Sequence, residues 1–193
     1  ITRTSFTTLS TMKNSLAPIG LAGLSLSALF FAVPSVGAEE STSPAIRLIE
    51  TKRPLVIAHR GYSQIAPENT VPAFKLAAEA GADLVELDYH HSKEGELVVI
   101  HDATLDRTTD ATNRWGGKKI SVDGKTVTEL QSLDAGSWFD PKYAGIKVPL
   151  LTDVLDLVHA AGGVTLIERK EGDAATCVKM LHEKKLINEV IVQ

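Results

Sequence analysis

The run Ala82–Tyr89 predicts a strand that places acidic side chains on one side. On extended backbone, alternate residues share a face, so Val85, Leu87 and Tyr89 lie on one side and Glu86, Asp88 and His90 on the other. Two carboxylates about 7 Å apart along a strand repel each other unless a cation sits between them, and a hard divalent ion held by oxygen ligands is one remedy. Two exposed carboxylates on an edge strand are the plainer alternative. A second run, Val164–Lys170, repeats the pattern: Val164, Leu166, Glu168 and Lys170 share a face, with Glu168 a third carboxylate near the C-terminal end of a strand. There, Lys170 either meets an anionic oxygen or pairs with Glu168.

His59 and His101 also close apolar runs, Leu55–His59 and Glu96–His101. Imidazole titrates near neutral pH and serves as general acid or base, although a lone histidine at a strand end is more often structural. Arg60, directly after His59, has the planar fork suited to a phosphate oxygen. His90 reads as a pocket filler, His91, His159 and His182 as solvated or structural residues, Trp138 and Phe139 as core packing in preference to lining a substrate pocket, and Cys177 as a small buried apolar residue.

These residues need a scaffold that brings strand ends together. A helix starts at Thr70 with Pro72 behind it and stops at Gly81. A second begins near Thr152, carries the stripe Leu151, Val154, Leu155 and Val158, and ends at Gly162-Gly163. A third spans Asp173 to about Lys185, and Val190–Val192 begins a fifth strand. Strands separated by helices imply a parallel sheet with right-handed crossovers. Residues 102–150 are polar and broken by Gly and Pro.

The chain has 193 residues, 44% hydrophobic and 23% charged, which is ordinary globular composition. A net charge of -4 without a Lys/Arg cluster gives no basis for a nucleic-acid partner. The single cysteine excludes an internal disulfide. Met12-Lys13, the apolar stretch Leu16–Val33 and the small-residue exit Val36-Gly37-Ala38 read as a secretory signal peptide after an upstream extension, together residues 1–38. Pro18, Gly20 and Gly23 oppose a stable membrane anchor. A polar lead-in over residues 39–52 follows, then the main domain, 53–193. The expected location is secreted or periplasmic, with no stable membrane span once the signal is removed.

The ordered set His59-Arg60-Gly61, Pro67-Glu68-Asn69-Thr70, Glu86-Leu87-Asp88, His101-Asp102, Arg107-Thr108-Thr109, Leu133-Asp134-Ala135-Gly136 and Glu168-Arg169-Lys170 resembles the signature of the glycerophosphodiester phosphodiesterases. The resemblance implies an α/β fold, a (β/α)8 TIM-type barrel, with a small insertion after the third strand at about residues 102–148. A closed barrel takes about 250 residues, so this chain is expected to hold an incomplete one, about five of the eight strands. By the same resemblance, Glu86, Asp88 and Glu168 are expected to ligate one divalent cation, Ca²⁺ or Mg²⁺. His59 and His101 would form the acid/base pair. Arg60 and Lys170 would contact phosphate, and Glu68 would orient the site. The implied reaction releases sn-glycerol 3-phosphate and an alcohol from a small glycerophosphodiester, by attack of a glycerol hydroxyl on phosphorus and opening of the resulting cyclic phosphate. A phospholipase D-like or phosphoinositide-cleaving enzyme on the same barrel, or an inactive secreted binding module, are the competing readings.

Overall fold

Pro44 occupies the first helical position of α1 (Pro44–Glu50), behind Ser43 at the N-cap, so the expected polar lead-in contains a short helix with apolar Ala45, Ile46, Leu48 and Ile49. The computed structural model describes residues 43–193. The expected signal peptide and residues 39–42 lie outside the described residues. After α1 come β1 (Ile57–Ala58), α2 (Val71–Glu79), β2 (Leu84–His91) and β3 (Leu97–Val99). A long connection then carries α3 (Ala111–Trp115), α4 (Val127–Ser132) and a 3₁₀ turn (Pro141–Tyr143). The chain continues through α5 (Leu151–Ala160), β4 (Val164–Arg169), α6 (Ala174–Glu183) and β5 (Val190–Val192).

Among the described residues the strands form one sheet in the order β1-β2-β4-β5, all parallel, with β3 paired to β2. This is an incomplete barrel. β3, which no helix separates from β2, runs antiparallel to it, with Tyr89 opposite Val99 and His91 opposite Leu97. The link Ser92–Glu96 is too short for the crossover that a parallel neighbour requires, and Ser92 Oγ accepts from the Glu94 and Glu96 N–H groups to close the turn. The first strand is also shorter than expected and lies open, with Val56 and Ile57 62% and 48% exposed, because among the described residues β1 pairs on one side only, with β2.

The alternation along β2 sorts the layers. Val85, Leu87 and Tyr89 pack under the helices with Phe74 and Ala77 of α2, Leu151, Val154, Leu155 and Val158 of α5, and Cys177 and Leu181 of α6. On the other face Leu84 joins Val164 and Ala45, with Leu48, Leu55, Leu166 and Ile191 around them, so α1 seals the N-terminal ends of the strands. Glu86 and Asp88 stand further along the same face, toward the C-terminal ends, where barrels of this type keep their sites.

Residues 102–148 hold a separate apolar cluster built on Leu105, Ala111, Val122, Leu130, Leu133 and Val148, joined by Val98 of β3 and by Ile100 just after it. Thr126 and Glu129 form a capping box at the start of α4. Asp134 ties the irregular part: its carboxylate accepts from the N–H groups of Gly136 (2.8 Å), Ser137 (2.9 Å) and Gly145 (2.9 Å) and from the Ser137 hydroxyl (2.6 Å). Gly136 has to be glycine, since a Cβ there would collide with the Tyr143 backbone.

Burial works against ionisation of Asp134, but its four donors outweigh it and hold the carboxyl well below the usual range. A depressed folded-state pKa contributes stability that is present above the unfolded value of about 3.9 and is lost as pH falls through the folded value. Asp134→Asn is therefore expected to cost about 1.5–3 kcal/mol near pH 7, read by urea denaturation. The gap from wild type should narrow as pH drops below about 4. A gap that is constant with pH would contradict this account of Asp134.

Candidate functional site

The parallel register of β2 and β4 sets Asp88 beside Glu168 and Glu86 beside Leu166. One ligand oxygen from each of Glu86, Asp88 and Glu168 lies within 4.8 Å of the others. Glu86 and Asp88 are buried, 2% and 0% exposed, and Glu168 is half-buried. The three carboxylates expected from the sequence are thus brought together at the C-terminal ends of adjacent strands.

Each is held by neighbours. Glu86 Oε2 accepts from the Arg60 N–H at 2.5 Å. Asp88 Oδ2 accepts from the Asn69 side-chain amide at 2.7 Å and lies 3.3 Å from Arg60 Nε. Lys170 stands between Asp88 and Glu168, with Nζ 3.0 Å from Asp88 Oδ1 and in contact with Glu168 Oε1. That ion pair with Asp88 is close but poorly aligned for a hydrogen bond, and Glu86 Oε1 has no hydrogen-bond partner among the described residues. Burial, reinforced by the Asp88 and Glu168 charges, pushes the Glu86 carboxyl up against the pull of the Arg60 N–H. Lys170 holds the Glu168 carboxyl down. Burial opposes the Lys170 charge, but its contacts with Glu168 and Asp88 raise the ammonium above its ordinary value.

A second network fixes the loops around this centre. Arg107 grips Asp102 through Nε (2.7 Å) and Nη2 (2.9 Å), and Glu68 through Nη1 (2.9 Å) and Nη2 (2.8 Å). Glu68 also receives Arg60 Nη1 at 3.0 Å. Asp102 Oδ1 is 2.7 Å from His101 Nδ1, so the carboxylate fixes the proton on Nδ1 and leaves Nε2 as the ring atom available for proton transfer. Arg107 is the first cause holding Asp102 far below its usual range, ahead of its contact with His101. Burial alone would raise the Glu68 carboxyl, yet Arg107 and Arg60 bring it below the ordinary value.

His59 follows β1 directly and is exposed, close enough to Glu86 for their charges to interact. Its backbone carbonyl accepts from the Ser63 hydroxyl at 2.9 Å. The turn that places it needs Gly61, which has φ +77° and lies so close to α2 that a Cβ would come within 2.7 Å of the Ala73 carbonyl carbon. Every candidate residue from the sequence therefore lies at this one end of the sheet. Reading by type and spacing passed over the roles of Asn69, Asp102 and Arg107, because polar partners joined across a fold have no periodic signal. Trp138 corrects another expectation: it is 39% exposed, its indole N–H donates to the Ala135 carbonyl, and it meets Phe139 edge-on rather than entering the core.

Among the described residues, five carboxylates (Glu68, Glu86, Asp88, Asp102 and Glu168) face three cations (Arg60, Arg107 and Lys170). The excess of two negative charges, an unpartnered buried oxygen on Glu86 and an all-oxygen donor set fit a hard divalent cation.

Residues 59–192 match the glycerophosphoryl diester phosphodiesterase family. A glycerophosphodiester phosphodiesterase of Caldanaerobacter subterraneus subsp. tengcongensis is 47% identical over 118 residues, 61% of this chain and 46% of that protein. One of Bacillus subtilis is 40% identical over 141 residues, 69% of this chain and 44% of that protein. The chain thus spans about half the length of the curated relatives it matches. Among solved structures, a glycerophosphodiester phosphodiesterase of Agrobacterium tumefaciens superposes with TM-score 0.66 at 35% identity, covering 73% of this chain and 58% of that one. An Oleispira antarctica phosphodiesterase, solved with the product sn-glycerol-3-phosphate, gives TM-score 0.62 at 31% identity, covering 72% and 56%.

The Arg107 fork joins the loop after β1 to the segment after β3. Arg107→Met is expected to lower stability by about 1–2 kcal/mol, a figure reduced from that of a buried charged network because the guanidinium is 43% exposed. Chemical denaturation monitors it, and an unchanged midpoint would show that the fork holds nothing.

Proposed function

Because the chain belongs to the glycerophosphoryl diester phosphodiesterase family, we propose that its site hydrolyses small glycerophosphodiesters to sn-glycerol 3-phosphate and an alcohol with the help of one divalent cation, Ca²⁺ or Mg²⁺. The observation that carries this reading is the convergence of Glu86, Asp88 and Glu168 beside His101, Arg60 and Lys170 at one end of the sheet.

In this reading Glu86, Asp88 and Glu168 hold the cation, whose chemistry is to polarise a phosphoryl oxygen. Arg60 and Lys170 carry positive charge on the same centre, where negative charge grows as phosphorus is attacked. His101 keeps its Nδ1 proton against Asp102 and moves a proton at Nε2. His59, on the exposed turn after β1, exchanges the other. One imidazole accepts the proton of the attacking glycerol hydroxyl and the other protonates the leaving alcohol oxygen. Water then adds to the cyclic phosphate so formed, losing a proton to one imidazole while the other returns one to the glycerol oxygen, which gives sn-glycerol 3-phosphate. Glu68 orients the site through its bonds to Arg60 and Arg107. Lys170 pairs with Asp88 and Glu168, and with a cation held by those carboxylates its ammonium would be available to a phosphate oxygen.

The protein is also proposed to be exported to the periplasm or outside the cell, on the strength of the residue 12–41 pattern. No helix among the described residues is long and apolar enough to cross a membrane.

The test is release of sn-glycerol 3-phosphate from glycerophosphocholine by the purified chain. EDTA should abolish it, excess Mg²⁺ or Ca²⁺ should restore it, and His101→Ala should lower kcat by about 10²–10⁴-fold. Release that neither EDTA nor His101→Ala affects would overturn both the cation and the acid/base assignment.

A further inference from the structure

His90 has no part in the chemistry above, yet it is 3% exposed and its ring is directed at the segment that carries His101. Its Nε2 lies 3.0 Å from the His101 carbonyl oxygen. A carbonyl only accepts, so Nε2 carries the proton and donates it. Its Nδ1 faces the Glu171 carboxylate at 3.8 Å, one residue beyond Lys170. The backbone explains why a hold is needed there. β3 ends at Val99, and the Ile100 N–H still bonds to the Asp88 carbonyl at 3.1 Å, but the chain then bends out of the sheet at His101. Asp102 fixes the imidazole of His101, whereas His90 fixes its main chain. An apolar side chain of similar volume would fill the same space without that directed bond.

We infer that His90 is a positioning residue for His101, setting where its imidazole stands relative to the carboxylate cluster. The inference rests on the role given to His101 under the proposed function. Its consequence is selective: loss of the bond displaces a proton-transfer group without removing a charge that binds cation or phosphate. A displacement of about 1 Å in a reacting group can cost about a hundredfold in rate.

The experiment compares His90→Ala with His90→Gln, whose side-chain amide restores an N–H donor. In the glycerophosphocholine assay, His90→Ala should lower kcat by about ten- to a hundredfold with KM nearly unchanged, and His90→Gln should recover most of the loss. In parallel, ¹⁵N-histidine NMR of each variant, with His101→Ala used to assign the signals, should show the His101 ring resonances shifted or broadened in His90→Ala and near wild type in His90→Gln. Equal losses in both variants, or a wild-type kcat in His90→Ala, would overturn the inference. Should the wild-type chain release no product, the proposed function fails by itself. The NMR comparison then decides the positioning role, and His101 signals unchanged by His90→Ala overturn it.

Discussion

The structure turns on the cost of placing three carboxylates within 4.8 Å of one another, two of them buried. Like charges at that separation in a partly desolvated site repel strongly, so the surrounding chain has to supply positive charge and donors. It does so with Lys170 between Asp88 and Glu168, Arg60 against Asp88, the Arg60 N–H on Glu86 and the Asn69 amide on Asp88. The compensation is incomplete, because an excess of negative charge and an unpartnered Glu86 oxygen remain among the described residues. A site that only stabilised the fold would gain from replacing such a cluster with apolar side chains.

The rest of the fold serves this constraint. The helices cover one face of the sheet with a continuous apolar core, and α1 closes the far end of the other face, which leaves the carboxylate end open. Gly61 lets the loop after β1 press against α2 and turn Arg60 back over Glu86. Arg60 and Asn69 hold left-handed backbone, at φ +57° and +56°. That conformation is uncommon outside glycine and is kept where surrounding contacts require it. The Arg107 fork connects the same loop to the residues after β3, so the two segments bearing the histidines are fixed relative to each other.

Much of this could be read in the sequence. The alternation of Val85, Leu87 and Tyr89 against Glu86 and Asp88 stands because a strand has a strict period of two, and the stripe on α5 stands because a helix has a period near 3.6. The direction of β3 has no signal in its residue pattern, since it depends on the length of the link from β2. The apolar run that carries β1 and the ring of Trp138 are nonetheless exposed, because burial is set by neighbours distant in sequence. Asn69, Asp102 and Arg107 escaped assignment for a related reason. Arg107 meets Glu68 across 39 positions, a pairing that no local rule encodes. Helix α1 is short and follows a polar stretch, and it is recognisable chiefly by Ser43-Pro44 at its start.

The central claim is that the carboxylate cluster is a cation site held ready by Lys170 and Arg60. Calorimetric titration of Mg²⁺ and of Ca²⁺ into the purified protein at neutral pH, beside Glu86→Gln, tests it without recourse to turnover. The account predicts one saturable site per chain for at least one of the two ions, weakened tenfold or more, about 1.4 kcal/mol, by the loss of one carboxylate charge. Equal binding by wild type and variant, or no binding of either ion by wild type, would contradict it.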